Sequence, residues 1–249
     1  MAKFAVVLPA AGKSSRFKDK EKKPFANLDG RAVWLRTAEL FVIRDDVVQC
    51  VLVVAKEDQE MVKRRYGANM AFMNVTLADG GAERFESVAN ALAQITDQAD
   101  FVAVHDAVRP CLTTELINAV FSQAAKSGAA ILAVPVTDTL KYVENDRVLD
   151  TPSRRNVWLA QTPQVFRREW LIDAYARRQE FGDEITDDAQ LVAAAGHEVH
   201  VVPGSTTNIK ITTKEDVMLA DAILKARPKP KAKGPIHPFA EDEMWGGRG

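Results

Sequence analysis

The sequence predicts an α/β fold: a doubly wound, mostly parallel sheet with a protruding β-hairpin arm. Three observations predict it. Apolar runs alternate with stretches of helical character, as they do when crossover helices cover both faces of a sheet. The runs Phe4–Val7, Val47–Val54, Phe101–Val104 and Ala129–Val136 read as fully buried strands. Two short alternating runs, Asp138–Val143 and Arg147–Asp150, flank the polar turn Glu144-Asn145-Asp146 and form a hairpin with too little apolar surface to stand alone.

Composition narrows the class further. With 249 residues, 47% hydrophobic and 27% charged, the chain can bury one sizeable core. A net charge of -1 shows no bulk bias toward nucleic acid or a membrane surface. No apolar run approaches the ~20 residues of a transmembrane helix. The N-terminus enters a strand without a signal-peptide pattern, so a cytoplasmic location is expected. Cys50 and Cys111 stand apart from one another and are expected to be buried thiols.

The elements follow in order. After the first strand and its loop, Arg31 to Ile43 is loosely helical, and Val47 to Val54 is the next strand. Glu57 to Tyr66 reads as a charged helix and Phe72 to Leu77 as an apolar strand-like stretch. Asp79-Gly80-Gly81 is a turn opening a helix from about Glu83 to Ile95. The strand Phe101–Val104 stops at His105-Asp106-Ala107-Val108-Arg109-Pro110, where the proline forbids a central ladder. Thr114 to Lys126 is a helix with Gly128 as its stop, before the strand Ala129–Val136.

Beyond the arm, placed at about 138–156, the segment from Arg154 to Gln164 returns to the body, and Glu169 to Phe181 is helical. Thr186-Asp187-Asp188 starts a helix ending near Gly196, and Val199–Val202 and Asn208–Ile211 read as late strands. Thr212 with Glu215 makes a capping box for a closing helix through Lys225. One domain over 1–227 is therefore expected. From Pro228 to Gly249 the composition turns to prolines, lysines and the acidic Glu241-Asp242-Glu243, which predicts a disordered tail.

The chemistry starts at Leu8-Pro9-Ala10-Ala11-Gly12-Lys13-Ser14-Ser15-Arg16-Phe17, a loop at the carboxyl end of the first strand, where open α/β sheets bind ligands. Ala10, Ala11 and Gly12 are small enough for a phosphate to approach backbone N–H groups. Ser14, Ser15, Arg16 and Lys23 add donors and positive charge. This is chemistry for holding a triphosphate. Two commoner phosphate loops are excluded. The P-loop requires a glycine where Val7 stands, and the dinucleotide fingerprint requires three glycines where this loop has one.

Further motifs follow in a fixed order: Gly80-Gly81 with Arg84 and Ser87-Val88; His105 to Pro110; Asp138-Thr139 with Lys141; Arg154 with Trp158; Thr162-Pro163-Gln164; Thr186-Asp187; and Asn208-Ile209-Lys210. Together with the first loop, this pattern resembles the 2-C-methyl-D-erythritol 4-phosphate cytidylyltransferases, in the glycosyltransferase-A-like nucleotidyltransferase superfamily, from about residue 4 to 225. The resemblance implies that the phosphate of methylerythritol 4-phosphate attacks the α-phosphorus of CTP and releases pyrophosphate. Mg²⁺ would ride mainly on the CTP phosphates, without a protein metal site. A phosphate monoester is already a nucleophile, so the need is for cations that gather and stabilise negative charge.

The resemblance also implies roles. Arg16 and Lys23 are catalytic, acting at the α-phosphate. Ala10, Ala11, Gly12, Gly81, Ser87 and Asp106 contact the nucleotide. Asp106, Arg109, Thr139, Arg154, Thr162, Thr186 and Lys210 hold the acceptor. Arg154 would reach a neighbouring subunit's site, implying a homodimer through the arm, with Arg155 as its alternative. Some relatives carry an acidic residue where Ala82 stands. Base preference is kept if the backbone reads the base there and altered if the side chain does. His105, His197, His200 and His237 lack metal-ligand spacing and are expected to make polar contacts.

Three alternatives remain open in the sequence. One is a cytidylyltransferase for ribitol 5-phosphate or another polyol phosphate; a second is a sugar-1-phosphate nucleotidyltransferase. The third, from a different class, is a non-catalytic nucleotide-binding regulator, against which the retention of Arg16 and Lys23 argues.

Overall fold

The computed structural model of this chain describes residues 1–12, 17, 21–182 and 185–228. Arg16 and the expectation of a disordered tail from 229 onward lie outside the described residues. Strand β1 (Phe4–Pro9) is buried on both faces, with Phe4, Val6 and Leu8 in one core and Ala5 and Val7 in the other. A short 3₁₀ turn, Lys23–Phe25, leads into the small antiparallel pair β2 (Asn27–Leu28) and β3 (Arg31–Ala32), and then helix α1 (Val33–Val42). Strand β4 (Val47–Val54), helix α2 (Gln59–Met73), strand β5 (Val75–Asp79), helix α3 (Arg84–Leu92) and strand β6 (Phe101–Val104) complete the first half.

Helix α4 (Thr114–Ser127) is capped by the Thr113 hydroxyl, which accepts from Leu116 N, and stopped by Gly128 at φ 91°. Strand β7 (Ala129–Pro135) follows. The arm is the hairpin β8 (Tyr142–Glu144) and β9 (Arg147–Asp150), turned through Asn145 and Asp146, both at positive φ. Strand β10 (Trp158–Arg167), helices α5 (Arg168–Ala176) and α6 (Asp188–Ala194), strand β11 (His200–Pro203) and helix α7 (Lys214–Ala226) close the fold.

Seven strands form one sheet in the order β11-β7-β10-β6-β1-β4-β5. Only β10 runs against its neighbours, antiparallel to both β6 and β7; the other pairings in this sheet are parallel. Helices α1, α2 and α4 pack on one face through Phe41, Tyr66 and Phe121, and α3, α5 and α6 on the other through Val88, Leu171 and Leu191. The chain leaves β1 toward β4 and β5 and returns on the opposite side of β1 as β6. That reversal opens a crevice beyond the carboxyl end of β1.

Several element boundaries differ from the sequence reading. Phe72 and Met73 belong to the end of α2, and Asn74 at φ 50° terminates the helix before β5. Asn208–Ile211 is not a strand: its backbone bonds to a loop, with Ile211 N donating to Val108 O. The capping box sits one residue later than expected, on Thr213 and Asp216, because Thr213 is the residue in extended conformation. The helix expected through Phe181 ends at Ala176, followed by a 3₁₀ turn, Arg178–Phe181. Segment 158–167 is a full strand inserted between β6 and β7. Both cysteines are buried free thiols, and burial pushes the Cys50 thiol up to about 12.

Candidate active site

Four neighbouring strands of the sheet, β6, β1, β4 and β5, deliver the chain that follows them to a cavity of about 490 Å³. Ala10, Ala11 and Gly12 come from beyond β1, Lys56 and Glu57 from beyond β4, and Gly80 to Arg84 from beyond β5. Asp106 and Val108 come from beyond β6, while Lys23 and Lys210 close the cavity from outside the sheet. Of the residues singled out in the sequence, Ala10, Ala11, Gly12, Lys23, Gly81, Ser87, Asp106 and Lys210 all line it.

The loops after β1 and β5 touch. A Cβ on Gly80 would lie 2.3 Å from the Ala11 Cβ, and one on Gly81 would lie 2.2 Å from the Glu86 Cβ. Only glycine permits that approach. Gly81 N donates to the Ser87 hydroxyl at 3.1 Å, and the same hydroxyl donates to Glu83 O at 3.0 Å. The carboxylate of Glu86 accepts from Ala82 N and completes a capping box with Glu83 at the start of α3. The backbone beside Ala82 is thus held rigid without help from the Ala82 side chain.

Asp106 is the charged centre of the floor. Its Oδ2 accepts from Lys210 Nζ at 3.0 Å and from Arg109 Nε at 3.2 Å. Burial alone would raise its carboxyl. Lys210, Arg84 and Arg109 outweigh burial and hold it well below the ordinary range, so it is ionised at any working pH. Arg109 also donates to Asn208 O at 2.7 Å, which ties the Asn208–Lys210 segment to the end of β6.

Behind Asp106 lies a chain of fully engaged polar groups. Asp106 N donates to the Thr162 hydroxyl at 3.1 Å. That hydroxyl is 3.1 Å from His105 Nδ1, and His105 Nε2 is 3.2 Å from Arg109 O. A carbonyl can only accept, so Nε2 carries the hydrogen, and Nδ1 accepts from the Thr162 O–H. This is a neutral imidazole, consistent with burial bringing its pKa down to about 4. Thr162 reaches this position because the β10 ladder is interrupted between Ala160 and Gln164.

Arg84 carries no assigned role in the sequence reading, although it belongs to the motif after the paired glycines. It lines the cavity and pairs at 2.6 Å with Asp188, a wholly buried carboxylate that also accepts from Tyr175. Desolvation would lower the Arg84 pKa, but Asp188 outweighs it and keeps the guanidinium charged. Lys56 and Glu57 were also missed, Glu57 being read as the start of a charged helix and Lys56 carrying no reading; their place after the end of β4 was the available signal. Arg109, Thr139, Arg154, Thr162 and Thr186 are not among the residues lining the cavity, and Thr139, Arg154 and Thr186 are exposed. The Arg154 guanidinium donates to Thr137 O, and the Thr186 hydroxyl to Gln190 Oε1.

Among the described residues, no three His, Cys, Asp or Glu side chains converge on a metal position. No described helix is long and apolar enough to cross a membrane.

Comparison with known proteins gives a consistent result. Residues 4–226 match the family described as 2-C-methyl-D-erythritol 4-phosphate cytidylyltransferase. A protein of that name from Rhodopirellula baltica is 42% identical over 234 residues, covering 90% of this chain and 95% of the relative. One from Alkaliphilus oremlandii is 37% identical, covering 91% of this chain and 97% of the relative. The crystal structure of 4-diphosphocytidyl-2C-methyl-D-erythritol synthase from Anaerococcus prevotii superimposes with a TM-score of 0.76 at 29% identity, covering 90% of this chain and 99% of that one.

Proposed function

We propose that this chain, which belongs to the 2-C-methyl-D-erythritol 4-phosphate cytidylyltransferase family, transfers CMP from CTP to 2-C-methyl-D-erythritol 4-phosphate. The products are 4-diphosphocytidyl-2-C-methyl-D-erythritol and pyrophosphate, an early step toward isoprenoid precursors. The observation that carries the reading is the cavity itself. Small-residue backbone from β1 and β5 faces the cations Lys23, Lys56, Arg84 and Lys210 across a space of about 490 Å³.

The chemistry follows from that arrangement. A phosphate oxygen of the acceptor attacks the α-phosphorus, forming a new P–O bond as the bond to the bridging oxygen of the β-phosphate breaks and pyrophosphate leaves. No protein nucleophile or proton transfer is required. Lys23 and Arg16 stabilise the charge growing on the α-phosphoryl oxygens, while Ala10, Ala11, Gly12, Gly81 and Ser87 hold the nucleotide. Lys210, oriented by Asp106, meets the acceptor phosphate, and Arg109 and Thr162 keep Asp106 in place.

Mg²⁺ fits this site as an ion held by substrate. The carboxylates lining the cavity are Glu57, Glu83 and Asp106. Glu57 pairs with Lys22, Glu83 caps α3 and Asp106 holds Lys210, so the triphosphate is left as the principal ligand. When bound, the ion supplies neutralisation of phosphate charge.

The acceptor end would be completed by a second subunit of a homodimer. Tyr142, Val143, Val148, Leu149, Trp158 and Leu159 expose apolar surface on and beside the arm, more than one hairpin keeps in water. Packed against a partner, that surface would carry Arg154 to the neighbouring cavity, joining Thr139 and Thr186 around the acceptor. A location in the cytoplasm suits both small polar substrates.

Pyrophosphate release with CTP and magnesium tests the reading. Release with methylerythritol 4-phosphate is expected. Release with ribitol 5-phosphate instead would keep the mechanism and change the acceptor, and no release with any acceptor would favour a nucleotide-binding regulator.

A further inference from the structure

A second groove, of about 1150 Å³, opens between α1 and α2 and is bounded by the end of α7. Its wall is apolar, with Leu35, Leu40, Tyr66 and Met73, and two large side chains at its edge are left in water: Phe72 is 94% exposed and Ile43 76%. Four guanidinium groups line it, Arg31, Arg36, Arg65 and Arg227, against one lining carboxylate, Glu39. Arg31 pairs with Glu39, Arg36 with Asp29 and Arg65 with Glu21. Arg227 donates to the carbonyls of Leu112 and Cys111 and has no ion pair with a described carboxylate. Arg227 is thus the one guanidinium of the four that no described carboxylate pairs with, Glu115 lying only near enough to feel its charge.

A groove of this kind takes a ligand with apolar groups on either side of several carboxylates. The chain carries such a segment. The described backbone runs out at Pro228, immediately after Arg227 on the groove's rim. Farther along stands Phe239-Ala240-Glu241-Asp242-Glu243-Met244-Trp245, in which three successive carboxylates lie between an aromatic residue and a Met-Trp pair. The residues between Pro228 and Phe239 can span up to ~35 Å, so reach is not limiting. Tethering also holds the segment near millimolar effective concentration, at which modest affinity suffices.

We propose that residues 239–245 of this chain dock in the groove between α1 and α2, their aromatic side chains on its apolar wall and their carboxylates on Arg227 and its neighbouring arginines. A second copy of the chain and a diffusible polycarboxylate are the competing occupants. The tail is favoured because it starts at the groove and carries both halves of the complementarity.

Two measurements on the full chain test this. Phe72→Cys with Met244→Cys should form a disulfide within one chain under mild oxidation, since the native Cys50 and Cys111 are buried. Adding Phe239→Ala, Glu241→Gln, Asp242→Asn and Glu243→Gln should slow that cross-link by on the order of tenfold. Hydrogen exchange in the last turn of α2 should also quicken in a Phe239→Ala, Trp245→Ala variant without native-sequence cysteines being altered. Cross-linking that is absent, or equally fast in the weakened variant, would overturn the proposal, as would unchanged exchange. A disulfide found only between two chains would overturn it in favour of a second copy.

Discussion

Lys210 and Asp106 meet at 3.0 Å on the floor of the cavity, although one follows the last strand of the sheet and the other follows β6. The carboxylate fixes the ammonium group for which a role at the acceptor phosphate is proposed, and Arg109 and Thr162 hold the carboxylate. Asp106→Asn should leave Lys210 unheld and lower kcat/KM for the acceptor about 100-fold. Steady-state kinetics at varied acceptor concentration will check this. A loss confined to CTP affinity would place Asp106 on the nucleotide side.

Lys23 lines the same cavity from the 3₁₀ turn after the first loop. The role proposed for it at the α-phosphate uses its charge mainly in the transition state. Lys23→Ala is therefore expected to lower kcat about 100-fold or more while CTP binding changes little. Comparing turnover with CTP affinity measured by calorimetry distinguishes the two effects, and equal losses would remove Lys23 from the catalytic role.

The contact between Gly80 and Ala11 makes a steric prediction. Gly80→Ala brings a methyl group to 2.3 Å from the Ala11 Cβ, so the loops after β1 and β5 must separate. A cost of about 1–3 kcal/mol in stability is expected, with a large fall in CTP affinity. Gly80→Ala combined with Ala11→Gly should recover much of both. Denaturant titration and CTP binding on the single and double variants give the answer.

His105 makes stability pH-dependent. Burial brings its folded pKa down to about 4, below the ordinary value of 6.5, so the unfolded chain binds more protons between those limits. Its contribution is complete above pH 6.5 and is lost as pH falls toward 4, by roughly 3 kcal/mol at most. Asp106, whose folded pKa is depressed below 3.8, adds a further loss only as pH falls below that value. Urea unfolding from pH 4 to 7 should follow this slope, and His105→Gln should flatten it.

The shared acceptor site can be tested by complementation. Arg154→Ala and Lys23→Ala chains should each be nearly inactive. A mixture refolded together should regain about a quarter of the native rate, because half the dimers carry one intact site. Val148→Asp with Leu149→Asp in the arm should yield an inactive monomer. No recovery on mixing, or a fully active monomer, would refute the shared site.

Much of the fold was legible locally. Buried strands announce themselves as unbroken apolar runs, Gly128 stops α4, and Asn145-Asp146 turns the arm. The small-residue loop after β1 and the glycine pair after β5 mark strand ends at which a ligand can approach backbone, and both line one cavity. Arg154 to Gln164 was less legible. Its polar residues broke the strand pattern because the β10 ladder is interrupted there, where Thr162 reaches Asp106 N.

The sequence by itself determined the alternation of strands and helices, the caps that bound several of them, and the residue types gathered at each strand end. These follow from burial periodicity and backbone chemistry acting over a few residues. Only the tertiary structure decided that β10 enters the sheet antiparallel between β6 and β7, that Lys210 lies on Asp106, and that Arg84 is held by a buried Asp188. Those contacts join residues far apart in the chain. They depend on strand order and on the balance of desolvation against charge, which no local pattern of residues encodes.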